Sequence, residues 1–136
     1  MERVLVDTSA LLALLVPDDV AHADAARAFE MLRRQKDRLV ITSSTLLETY
    51  ALLGRRLGLA AAKRFREDFE PLLEVVWVDR ALHEAAMDHW LQRTSRRASL
   101  VDATSFVVAK QQGLTTAYAF DTHFDDEGLV RVGAEA

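Results

Sequence analysis

The run Arg3-Val4-Leu5-Val6 is apolar at each position after the first and ends in a carboxylate, Asp7, before passing at once into the helical pattern Thr8-Ser9-Ala10-Leu11-Leu12. A strand without apolar–polar alternation is buried on both faces, as in the centre of a parallel sheet. Helices must then cover both sides of that sheet, and the carboxyl ends of its strands form the edge where open α/β folds hold their ligands. Asp7 stands at that edge. By itself it reads equally well as the N-cap of the helix that follows.

The rest of the chain repeats the alternation. Ser9 to Val16 reads as a short buried helix stopped by Pro17, and a longer helix is expected from Asp18 or Asp19 to Gln35, with Val20, Ala25, Ala28, Phe29 and Leu32 on one face. Arg38–Thr42 reads as the second strand, and Ser43 or Ser44 caps a helix to Leu57. A helix over Leu59–Leu73, a third strand over Glu74–Val78 and a helix over Arg80–Thr94 follow. After the polar loop Ser95–Ser99, a helix from Leu100 or Asp102 to Gln112 is closed by Gly113. Thr115–Phe120 is expected as the fourth strand, ending at Asp121, and Leu129–Val132 as a short fifth. The expectation is one α/β domain spanning residues 1–136, its sheet mostly parallel, with helices on both faces.

Composition excludes several classes. With 136 residues, half of them hydrophobic, the chain can bury a core without staples. It has no cysteine, which excludes disulfides, thiolate-ligated zinc and thiol nucleophiles and fits a reducing compartment. The apolar run Ala10–Val16 is too short to span a bilayer and lacks the flanks of a signal peptide, so a cytoplasmic protein with no membrane partner is expected. A net charge of −4 argues against coating nucleic acid by bulk attraction, while local basic pairs can still steer a polyanion. Arg55-Arg56 and Arg96-Arg97 are the pairs that could flank an active site.

The residues that can carry chemistry are acidic. Asp7 and Asp121 both end strands, so a parallel sheet brings them to one edge. Asp102 opens the helix before the fourth strand, where it reads as an N-cap or a neighbour of that edge. Glu48 falls in the first turns of an otherwise apolar helix, as a partner of the helix dipole or an inward-facing ligand. Four carboxylates drawn together would repel one another, and a hard divalent cation such as magnesium or manganese relieves the repulsion. Such a cation suits phosphodiester hydrolysis, because it activates water and neutralises charge on the phosphate oxygens. The hydroxyls of Thr8, Ser9 and Ser99 are candidate supporting donors.

Other chemistries fit less well. His83 to His89 lacks the second histidine of a zinc-protease helix, since Met87 stands there, and no phosphate loop, dinucleotide fingerprint or nucleophile elbow is present. His123 is the one histidine near the acids, read as a neighbour of the centre, and Asp125 and Asp126 read as a solvated loop ahead of the alternative of a further ligand. A receiver-type signalling domain would use Asp79 but lacks its acidic pair and its lysine, and a binding module without catalysis would not need the four acids.

Val6-Asp7-Thr8-Ser9-Ala10-Leu11-Leu12, Leu46-Leu47-Glu48 with Arg55-Arg56, Ser99-Leu100-Val101-Asp102-Ala103 and Ala119-Phe120-Asp121-Thr122-His123-Phe124 occur in the order that resembles the PIN domain, and within it the VapC-like toxin ribonucleases of bacterial toxin–antitoxin pairs. The resemblance implies a three-layer α/β/α sandwich around a central parallel sheet. It implies that Asp7, Glu48, Asp102 and Asp121 hold Mg2+ or Mn2+ and support endonucleolytic cleavage of RNA. It further implies a homodimer inhibited by a cognate antitoxin. Ala119 departs from the threonine that many relatives carry two residues before the last aspartate.

Overall fold

The computed structural model of the chain describes residues 1–93 and 97–133. Its strands are β1 (Arg3–Val6), β2 (Arg38–Thr42), β3 (Leu73–Val76), β4 (Thr116–Tyr118) and β5 (Val130–Val132). They form one sheet in the order β3-β2-β1-β4-β5, and every pairing is parallel. The helices are α1 (Thr8–Leu15), α2 (His22–Arg34), α3 (Ser43–Leu57), α4 (Leu59–Arg64), α5 (Arg80–Leu91) and α6 (Leu100–Gln112).

The unbroken apolar character of β1 is explained by two cores. Val4 and Val6 pack with Ile41 and Tyr118 against α1, α2 and α3, while Leu5 packs with Val40 and Ala117 against α5 and α6. Successive side chains of a strand alternate between faces, so a strand with a core on each side has no polar position. The chain runs from β1 outward to β2 and β3 with its connecting helices on one face. It then returns through α5 and α6 on the other face to place β4 on the far side of β1. The strand order therefore reverses between β1 and β4, the position at which open sheets leave a crevice for ligands. Asp7 lies at that crevice.

Several boundaries differ from those the sequence suggests. The second helix begins at His22, and Val20, assigned to its apolar face, is fully exposed before it. The expected helix Leu59–Leu73 becomes α4, a π-helical turn over Phe65–Phe69 and a 3-10 turn over Glu70–Leu72, and Leu73 already belongs to β3. The stacked rings of Phe65 and Phe69, with Phe69 also stacked on Phe29, supply tertiary packing that local propensity does not report. β4 is only Thr116–Tyr118, so Asp121 stands three residues past the strand and opens a 3-10 turn, Thr122–Glu127. Leu91 is exposed at the end of α5, which stops short of the expected Thr94. Gly113 closes α6 as expected, with φ 67° in the left-handed region that favours glycine.

Candidate active site

Asp7 is 4 % exposed and caps α1 directly: its Oδ2 accepts the Ser9 backbone N–H at 3.0 Å and the Ser9 hydroxyl at 2.6 Å. Asp7 is thus the N-cap, one of the two readings its sequence position allows, and among the described residues only one of its oxygens is used. The Ser9 hydroxyl in turn accepts the Phe120 N–H at 3.0 Å, tying the end of β1 to the segment after β4. Burial pushes the Asp7 carboxyl up from the usual 3.8 to about 6 against the lowering hydrogen bond from Ser9, and the charges of Asp102 and Asp121 raise it further.

Asp102 is held in a similar manner. Ser99 caps α6, with its hydroxyl accepting the Asp102 N–H at 3.1 Å, and the Ser99 N–H donates to Asp102 Oδ2 at 3.0 Å. This reciprocal capping box answers the choice between cap and neighbour of the edge: Ser99 is the cap, and Asp102 is the third residue of the helix. The Ser99 group that supports the carboxylate is its backbone N–H rather than its hydroxyl. His123 is buried, with Nε2 3.0 Å from Asp102 Oδ2 and 4.0 Å from Asp121 Oδ2. The contact with Asp102 lies at hydrogen-bond distance without hydrogen-bond alignment, leaving that nitrogen without a hydrogen-bond partner among the described residues.

Three of the four sequence-selected acids thus face one another across the crevice: Asp7, Asp102 and Asp121. Glu48 is half-buried on α3 and makes no hydrogen bond or ion pair among the described residues. The Thr8 hydroxyl makes no hydrogen bond to an acid among the described residues. It reaches the Thr45 carbonyl at 3.3 Å and the Thr49 hydroxyl at 3.1 Å, joining α1 to the helix that carries Glu48. Among the described residues no three histidine, aspartate or glutamate side chains close around a common point. The donor set nevertheless fits a hard divalent ion: carboxylate oxygens are its preferred ligands, and the buried Asp7 carboxylate meets two like charges that a cation would balance.

The basic residues separate. Arg55 and Arg56 are exposed in the last turn of α3, about 18 Å along the helix axis from Ser43 at a rise of 1.5 Å per residue, far from the strand ends. Arg97 lies beside the site, donating to the Thr122 hydroxyl and pairing with Asp126 at 3.5 Å, while Arg96 lies outside the described residues. Asp125 and Asp126 are not a free solvated loop, since each pairs with an arginine. Asp79 caps α5 through the Leu82 N–H at 2.8 Å, which is its structural use in place of phosphorylation.

A family model for the PIN domain matches residues 4–128. The chain belongs to the PIN domain family. Among curated relatives, the 23S rRNA-specific endonuclease VapC20 of Mycobacterium tuberculosis is 37 % identical over 134 residues, covering 97 % of this chain and 99 % of the relative. The crystal structure of that VapC20, described as a sarcin-ricin loop cleaving toxin, superimposes with a TM-score of 0.83 at 35 % identity over 95 % of this chain and 98 % of the other. FitAcB from Neisseria gonorrhoeae shares the fold alone, with a TM-score of 0.72 at 17 % identity over the full length of both chains. The five-stranded parallel sheet with helices on both faces is the PIN-like α/β/α sandwich expected from the sequence.

Ser9 is the side chain on which this PIN site's geometry converges. Ser9→Ala removes the hydroxyl donor to Asp7 and leaves the Phe120 N–H without its acceptor. Unfolding free energy measured by urea titration is expected to fall by about 1–3 kcal/mol, the range for breaking a buried hydrogen-bond pair. An unchanged midpoint would show that water replaces both bonds.

Proposed function

We propose that this PIN domain chain, acting as one nuclease domain over residues 1–136, is a divalent-metal-dependent endoribonuclease and the toxin of a toxin–antitoxin pair. The observation that carries the reading is the buried Asp7 carboxylate, which ties one oxygen to Ser9 and faces the charges of Asp102 and Asp121. Asp7, Glu48, Asp102 and Asp121 would hold Mg2+ or Mn2+, and the ion would supply water activation and charge neutralisation at the phosphate. The protein's own part is to fix which oxygens remain available. Ser9 and Ser99 each occupy one carboxylate oxygen and so orient the other. Arg97, which donates to the Thr122 hydroxyl next to Asp121, would meet the RNA backbone.

The relative that cuts 23S rRNA, 37 % identical over nearly the whole chain, supports ribosomal RNA as the substrate class. The partners proposed are a cognate antitoxin and a second copy of the chain. Leu47 and Trp77, 72 % and 71 % exposed, supply apolar surface that such contacts would cover. No helix among the described residues is long and apolar enough to cross a membrane.

The test is incubation of purified protein with ribosomes in Mn2+ or Mg2+, with chelator and with Asp7→Asn as controls. A discrete cut in 23S rRNA is expected with metal, and cleavage is expected to stop when the ion is chelated. Undiminished cutting in chelator would remove the metal from the reading, and equal cutting by the variant would remove Asp7.

A further inference from the structure

Asp7 and Asp102 are each held directly by neighbouring donors, but among the described residues none donates to Asp121. Its side chain is 55 % exposed, and its carboxylate lies 4.0 Å from His123 Nε2. Its position therefore depends on the 3-10 turn that follows, Thr122–Glu127, which begins with no side-chain cap. A short turn of this kind has poor hydrogen-bond geometry and needs outside support.

That support comes from three arginines on three segments. Arg131 of β5 grips the front of the turn, donating to the Phe120 carbonyl at 3.0 Å and, as a fork, to Asp125 at 2.8 and 3.1 Å. Arg97, just before α6, takes the Thr122 hydroxyl and Asp126. Arg93, just after α5, pairs with Glu127, whose side chain is 19 % exposed and also receives His89 at 3.1 Å. Each member of Asp125-Asp126-Glu127 thus goes to a different arginine. The Arg93 guanidinium also lies over the Phe106 ring at 5.8 Å, and the same ring packs edge-on against His123, so the clamp touches the site through a continuous row of side chains.

We propose that Asp125-Asp126-Glu127 with Arg93, Arg97 and Arg131 form a clamp that positions Asp121 for metal binding. The acidic run is thereby assigned neither to the ion nor to solvent. Planar guanidinium forks are suited to this, because two parallel bonds fix orientation as well as distance. The proposal rests on the reading of Asp121 as a metal ligand, and its residues act through Asp121, so they are positioning residues.

The experiment measures Mn2+ affinity by calorimetry and amide exchange across Asp121–Gly128 in the metal-free protein, for wild type, Glu127→Gln and Arg131→Gln. Each variant is expected to bind Mn2+ about tenfold more weakly, the scale of effect seen when supporting groups behind a ligand are removed. Exchange in the turn is expected to quicken about tenfold while the β1 and β2 amides stay unchanged, as for a local opening. The charge-swapped pair Asp125→Arg with Arg131→Asp is expected to recover part of the loss. In an Asp121→Asn background the two substitutions should lower affinity no further; additive losses there would overturn the proposal. So would unchanged exchange in the turn. If wild type itself binds no Mn2+, the metal reading falls, and the exchange measurement still decides whether the clamp holds the turn.

Discussion

Asp7→Asn is expected to abolish RNA cleavage and, in the same protein, to raise the stability of the metal-free fold. The loss of activity follows from removing a charged oxygen ligand: a metal's stabilisation of developing charge is several kcal/mol, so a fall of roughly a thousandfold is expected. The gain in stability follows from linkage. Burial, with the charges of Asp102 and Asp121, holds the Asp7 carboxyl at about 6 in the fold against 3.8 in the unfolded chain. A raised carboxyl means that the folded state binds the proton more tightly, so this group's contribution is most favourable below pH 3.8 and is lost as pH rises through about 6. At pH 7 the ionised Asp7 destabilises the metal-free protein by about 2–3 kcal/mol. Asparagine removes that charge, can still accept the Ser9 bonds through its carbonyl, and offers its NH2 to the acids opposite. The thermal midpoint in chelator at pH 7 should rise by roughly 8 °C. The same sign predicts that Mn2+ affinity weakens about tenfold per pH unit below pH 6, where ligand and proton compete for Asp7. A midpoint that falls in the variant would show that the site does not store this repulsion.

Phe106→Ala is expected to be the most destabilising single substitution on the α5–α6 side, lowering unfolding free energy by about 3–5 kcal/mol. Phe106 is buried beneath the site, edge-on to Phe124 at 5.1 Å, to His123 at 6.2 Å and to His89 at 6.2 Å, with the Arg93 guanidinium over its face. The cavity left by truncation cannot be refilled by a sheet strand, and it removes the wall that keeps His123 against Asp102. Phe106→Leu, which retains most of the volume, should lose less than half as much stability and supplies the control in which the fold survives for assay. Urea titration of both variants checks the order, and a loss under about 1 kcal/mol for alanine would mean that the α5 and α6 helices collapse onto the gap.

The path from sequence to site was legible where a local signal coincided with a strand end. Asp7 and Asp102 are examples: one follows a buried strand, the other sits three residues after a serine at a helix start, and both patterns survive folding unchanged. The same reasoning points to Asp121, although its strand ends three residues earlier. The pairing of Arg93, Arg97 and Arg131 with the turn that follows it left no mark in the sequence, because ion pairs across 6 to 34 positions have no periodicity. The sequence marks His123 only as a neighbour of the acids; its contact with Asp102 depends on α6 and the 3-10 turn packing together. Arg55 and Arg56 show the converse, since a basic pair in the right order along the chain falls at the far end of α3.

By itself the sequence determined the alternation of strand and helix, the burial of β1 on both faces and the identity of the acids at strand and helix ends. Those features are written in periods of two and 3.6 residues and in caps, which act over a few positions. Only the tertiary structure decided that β4 returns beside β1, that Asp7 therefore meets the charges of Asp102 and Asp121, and that Asp125, Asp126 and Glu127 each pair with an arginine. These are consequences of long-range strand order and charge pairing, which depend on where distant segments meet and not on what any one of them prefers.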